Sequence, residues 1–125
     1  MKYTGDQDLP TVDEEDFSKA RETMRRYTAV VLRPGRADEA PGPDRTADLT
    51  ATIMAHGKRH YALHQAGLLS IVCPVADGSE IVGLSLFNAD PDEVDRIMAN
   101  DPAVQAHILA YDIHPTWSFP GSTLP

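Results

Sequence analysis

Three histidines, His56, His60 and His64, recur four residues apart, which on a helix places them along one side. An imidazole has an ordinary pKa of about 6.5 and can take up or release a proton near neutrality. Leu49, Ile53 and Leu63 share the three- and four-residue steps of His56 and His60, so the spacing predicts His56 on a core-facing surface. A buried polar group without a partner costs about 1–3 kcal/mol, so the ring must find a hydrogen bond or line a cavity. Two histidines at i and i+4 can also chelate a transition metal. Four residues turn a helix by about 400°, however, so the row drifts, and no acidic residue sits at a matching step. General acid–base work is the favoured reading for His56, no metal is expected, and His64 is expected at the surface.

Asp101 stands before Pro102 and has two readings. Its carboxylate can orient an imidazole and stabilise the protonated ring, or it can cap the helical turn that proline begins. Cys73 lies on a predicted strand with no helix N-terminus or fixed cation beside it, which suits a buried thiol better than a nucleophile. Lys58 and Arg59 read as the solvated side of their helix. Tyr61, Tyr111, His114 and Trp117 either wall a pocket or serve as core and dimer contacts. His60, Cys73, Tyr111 and Trp117 are the candidate pocket residues. No Gly-rich phosphate loop, nucleophile elbow or Cys–His zinc pattern is present, so no cofactor is expected.

The elements that must position these residues follow from periodicity and breakers. Residues 1–12 read as a polar arm, and residues 13–26 as a short helix with acids first and bases last. Residues 27–32 form a β-branched strand stopped by Pro34-Gly35, and residues 36–45 form a Pro- and Gly-containing loop. The histidine helix is predicted over residues 48–66, with Thr46 or Asp48 as N-cap and Gly67 as its stop. Strands at residues 68–73 and 80–87 flank the turn Asp77-Gly78-Ser79. Asp90-Pro91 opens a second helix reaching Asn100, a short helical turn follows Asp101-Pro102, and residues 110–115 make the last strand.

After the N-terminal helix the order is β-α-β-β-α-β. That is the ferredoxin-like α+β plan, a four-stranded antiparallel sheet with both helices on one side. The uncovered sheet face predicts a homodimer packed sheet to sheet. The expected organisation is an arm and helix over residues 1–26, the domain over 27–117 and a tail over 118–125.

A chain of 125 residues suits one domain. The net charge of −8 leaves no basic stripe for nucleic acid or anionic membrane, and Arg21, Arg25 and Arg26 sit among acids on the first helix. No apolar run nears the roughly 20 residues that cross a bilayer. One cysteine and a start without signal-peptide character fit a cytoplasmic protein.

The stretch His56-Gly57-Lys58-Arg59-His60-Tyr61-Ala62-Leu63-His64-Gln65-Ala66-Gly67-Leu68-Leu69, followed by Cys73-Pro74, resembles the signature of the YCII (YciI-like) family. So do Asp90-Pro91-Asp92-Glu93-Val94, Asn100-Asp101-Pro102 and Asp112-Ile113-His114-Pro115. The resemblance covers about residues 27–117 and implies a dimeric α/β-barrel fold. It implies that His56 and Asp101 form an active-site pair, doing acid–base chemistry on small, often aromatic or lactone-like molecules. Two positions depart from the pattern: Cys73 stands where glycine is usual before the proline, and His60 where leucine is common. The expected function is cofactor-independent elimination, isomerisation, dehydration or cyclisation of a small organic molecule. The alternative is a non-catalytic ligand-binding or oligomerisation module.

Overall fold

A computed structural model describes residues 2–36 and 45–125, with only the backbone described for 45–48. The loop expected over residues 36–45 therefore lies almost wholly outside the described residues. The chain divides into two compact units, Arg26–Thr116 and a second made of Met1–Arg25 with Trp117–Pro125. The elements in chain order are α1 (Glu14–Glu22), β1 (Arg25–Pro34), α2 (Arg45–Gln65), β2 (Leu69–Pro74), β3 (Gly83–Phe87), α3 (Pro91–Ala99), α4 (Pro102–Gln105) and β4 (Leu109–Ser118).

In the second unit, the Asp13 carboxylate accepts from the Asp16 N–H and caps α1, whose first turn is acidic. The larger unit holds the sheet, in the order β2-β3-β1-β4. β3 pairs antiparallel with both β1 and β2. β4 also runs antiparallel to β1: the Gly35 N–H donates to the Ile108 carbonyl at 2.8 Å, whereas the Thr116 hydroxyl donates to the Tyr27 carbonyl at 3.2 Å. One partner's number falls as the other's rises. With α2 between β1 and β2, and α3 between β3 and β4, this is the ferredoxin-like βαββαβ arrangement.

Alternation decides which side chains enter the core. Val30 and Leu32 from β1, Phe87 from β3 and Leu69 from β2 are buried together with Val94 and Met98 of α3. Leu63 of α2 packs on the same cluster, so both long helices lie against one sheet face. Asp90 caps α3 by accepting the Glu93 N–H at 2.8 Å, and Pro91 opens the helix where its missing donor is harmless.

Two irregularities shape the space beside α2. Gly67 adopts φ +80°, with its N–H bonded to the His64 carbonyl and the Leu68 N–H bonded to the Leu63 carbonyl. That paired arrangement ends the helix and returns the chain directly into β2. A bulge between Leu69 and Ile71 then shifts β2 by one residue. Leu69 opposes core-facing Phe87, but beyond the bulge Val72 opposes Ser85 and Pro74 opposes Gly83. The extra residue turns Val72 and Pro74 toward α2.

Several expectations need correction. α2 is already helical at Arg45, so neither Thr46 nor Asp48 is its N-cap. Leu49 and Ile53 do not face the core; they are 42% and 39% exposed. Among residues 49–55 none is buried, because α2 packs through its later half, where His56, Arg59, His60 and Leu63 face inward. β4 extends through Pro115 to Ser118, and β3 starts only at Gly83.

Candidate active site

Asp101 is completely buried and stands at the N-cap of α4. One of its oxygens, Oδ1, accepts the Ala103 N–H at 2.9 Å and the Val104 N–H at 3.4 Å. Both carboxylate oxygens also lie 2.9 Å from Nδ1 of His56 on α2. The capping and imidazole-orienting readings thus meet in one carboxylate. Burial works against its ionisation. The hydrogen bond and charge of His56, with the Ala103 N–H, outweigh burial and hold its pKa below the ordinary carboxylate value. An ionised carboxylate only accepts, so Nδ1 of His56 carries the hydrogen and donates. Nε2 is left as the basic end of the ring. The His56 side chain is 16% exposed.

Two further groups crowd the same carboxylate. Arg59 Nη1 lies 3.6 Å from Asp101 Oδ2 and places a permanent positive charge beside it. The helical spacing contained this signal: Arg59 is three residues after His56 and four before Leu63, on their shared face, so it is not the solvated side chain expected. His60 is 4% exposed, and its ring centroid is 4.1 Å from that of His56. Its Nδ1 donates to the His56 carbonyl at 3.1 Å. Burial first, then the neighbouring His56, push the His60 pKa below its ordinary value, although Asp101 and the carbonyl pull the other way. The ring is held neutral.

His56, His60 and Asp101 are close enough to share a metal ion, their ligand atoms lying within 4.8 Å of one another. Their present bonding opposes it: Nδ1 of His56 faces the carboxylate, and Nδ1 of His60 faces a carbonyl. An ion taking those nitrogens would strip both hydrogens and turn a lone pair against the carbonyl oxygen. No acidic residue stands at a matching step on α2 itself; the fold supplies one from the N-cap of α4, the aspartate that the resemblance pairs with His56.

A cavity of about 490 Å³ opens between α2 and the sheet, with His56, His60 and His64 along one wall. Leu32, Val72, Val82 and Leu109 face them, and Gly83 leaves the floor open. A Cβ at Gly83 would meet the Leu32 side chain at 3.0 Å. No Asp, Glu, Lys or Arg is among the described residues lining it. His64 is exposed at the rim and donates from Nδ1 to the Leu69 carbonyl at 2.7 Å, which ties the helix end to β2. The size is that of sites holding small organic ligands.

Of the candidate pocket residues, His60 and Cys73 line this cavity, while Tyr111 and Trp117 do not. The Tyr111 hydroxyl instead donates to the Asp95 carboxylate at 2.6 Å, and burial followed by that carboxylate pushes its pKa up to about 12. Trp117 lines a separate depression with Ser18, Arg21 and Met24 in the other unit. Ser85 lines the cavity and was missed, although its place between Gly83 and Phe87 on the alternating inward face of β3 was readable.

No family model matches the chain, and no curated protein matches it. Among solved structures it is similar to 5-chloro-2-hydroxyhydroquinone dehydrochlorinase (TftG) from Burkholderia phenoliruptrix AC1100, in complex with 2,5-dihydroxybenzoquinone. The identity is 20% over 73% of this chain and 93% of that chain, with a TM-score of 0.48. The strand order and helix placement establish the ferredoxin-like fold independently. No helix among the described residues is long and apolar enough to cross a membrane.

Proposed function

We propose that this chain is a YCII-like enzyme that moves a proton on a small organic molecule held between α2 and the sheet. The observation that carries the reading is the 2.9 Å contact of His56 with buried Asp101 beside an apolar cavity. Asp101 fixes the ring so that Nε2 is free to take a proton from the substrate. The imidazolium formed lies against an ionised carboxylate, which stabilises it until the proton is returned. In elimination or dehydration the proton taken by Nε2 leaves with the departing group or to water as the bond to that group breaks; in isomerisation it returns to a second atom; in cyclisation the attacking atom loses it as the ring bond forms. The residues at hand suffice for it without a cofactor. Family membership is supported by the order of the motifs around His56, Gly67, Asp90 and Asp101, and by the contact of the two residues that the resemblance pairs.

The reading includes a cytoplasmic homodimer joined through the outer sheet face. Its support is the apolar row of Val31, Ile71, Leu84 and Leu86, turned away from the core, with Leu84 45% exposed. A ligand-binding module without catalysis is the rival, favoured by the largely apolar cavity wall.

A thermal-shift screen of small molecules followed by turnover of each hit separates the two. His56→Asn keeps an amide N–H where Nδ1 stood but cannot carry a proton. The enzyme reading predicts a loss of about 10²–10⁴ in kcat for this variant, with the thermal midpoint nearly unchanged. Full turnover in the variant would contradict the assignment. Ligands that bind but are never transformed would favour the binding module.

A further inference from the structure

Two side chains that line this cavity carry a buried polar atom with no hydrogen-bond partner among the described residues: Nε2 of His60 and Oγ of Ser85. Nδ1 of His60 faces two acceptors among the described residues, the His56 carbonyl at 3.1 Å and Asp101 Oδ2 at 3.5 Å, so it carries the ring's hydrogen. Nε2 is then a bare lone pair. Burial and the adjacent His56 keep the ring from charging, so Nε2 remains an acceptor at neutral pH. Ser85 comes from the inward face of β3, opposite Val72, and its hydroxyl can donate or accept. Leaving two such groups unpaired in an apolar wall is unfavourable, and a ligand that pairs them recovers what their burial costs.

The described lining carries no full charge to meet an anion or a cation, and the chain's net charge is −8. We infer that the cavity selects an uncharged, ring-sized molecule bearing two hydrogen-bonding substituents, one addressed by His56 and the other, a donor such as a hydroxyl, accepted by His60 Nε2 with Ser85 beside it. The inference rests on the proposed role of His56 at this site and adds His60 as a specificity-determining residue. The His60 nitrogen is covered by its surroundings, and a donor reaches it by displacing side chains of the cavity wall while the Nδ1 bond to the His56 carbonyl holds.

The test is calorimetric titration of the full chain with phenol, the three dihydroxybenzenes and benzoate. At least one dihydroxybenzene should bind about ten-fold or more tightly than phenol, and benzoate more weakly than phenol. His60→Leu fills the ring's volume without an acceptor; it should erase the gain from the second hydroxyl, read as the ratio of dihydroxybenzene to phenol affinity within the same variant. Ser85→Ala, a smaller change that keeps the inference testable if the leucine variant misfolds, should reduce the same gain by about three-fold. If no dihydroxybenzene exceeds phenol, or if the gain survives both substitutions, the inference is overturned while the role of His56 stands. If phenol fails to bind, or His56→Asn leaves its affinity unchanged, the reading of the whole site falls and takes this inference with it.

Discussion

Around Asp101 a single carboxylate serves two backbone N–H groups and a histidine, with a second histidine and an arginine close by. Its lowered pKa contributes stability above the ordinary carboxylate value of about 3.8 that disappears as acid protonates it. His60 acts at higher pH. Its folded-state pKa is depressed, so below about 6.5 the unfolded chain binds a proton that the folded chain refuses. Stability is therefore full above that pH and falls as pH drops, by at most about 1.4 kcal/mol per pH unit from this group. Urea unfolding from about pH 7 to 5.5 should show a shallower decline for His60→Leu than for the native chain. Identical slopes would mean that the His60 ring is not held neutral. His56 does face inward as expected, but of the residues whose spacing pointed there only Leu63 packs on the core. The shared carboxylate was not legible from spacing, because residues 56 and 101 meet only through tertiary packing, and helical spacing says nothing about a residue forty-five positions away.

Among the elements, the clearest sequence signals were local ones. Gly67 and the Asp90-Pro91 pair marked a helix stop and a helix start through backbone chemistry complete within a few residues. The failures came where packing decides. Leu49 and Ile53 have the right period but stay exposed, Ile53 reaching the cavity and not the core, whereas Arg59, whose spacing did place it on the inner face, turns its charge to a buried carboxylate. The bulge in β2 was equally invisible. It exchanges which residues face α2, so Val72 and Pro74 wall the cavity through an irregularity that composition does not announce. Cys73 opposes Leu84 across the ladder and still reaches the cavity rim.

At the scale of the molecule, the ferredoxin-like frame followed from element order, since β-α-β-β-α-β with short connections leaves few arrangements open. One sheet face carries the helices and the cavity, and the other turns Val31, Leu84 and Leu86 outward. The proposed homodimer predicts that Leu84→Glu, which sets a charge on that face, shifts sedimentation from dimer to monomer at micromolar protein. A native chain that sediments as a monomer would remove the dimer from the account. Such a result would leave the His56–Asp101 contact, which lies within one chain, untouched.

The most direct test concerns where the hydrogen sits on His56. Long-range nitrogen–proton NMR of the imidazoles at about pH 8, where an ordinary histidine is neutral, resolves the two ring nitrogens. The account predicts hydrogen on Nδ1, facing Asp101, and a bare Nε2. Hydrogen found on Nε2 instead would leave His56 without a free basic nitrogen and would contradict the proposed chemistry.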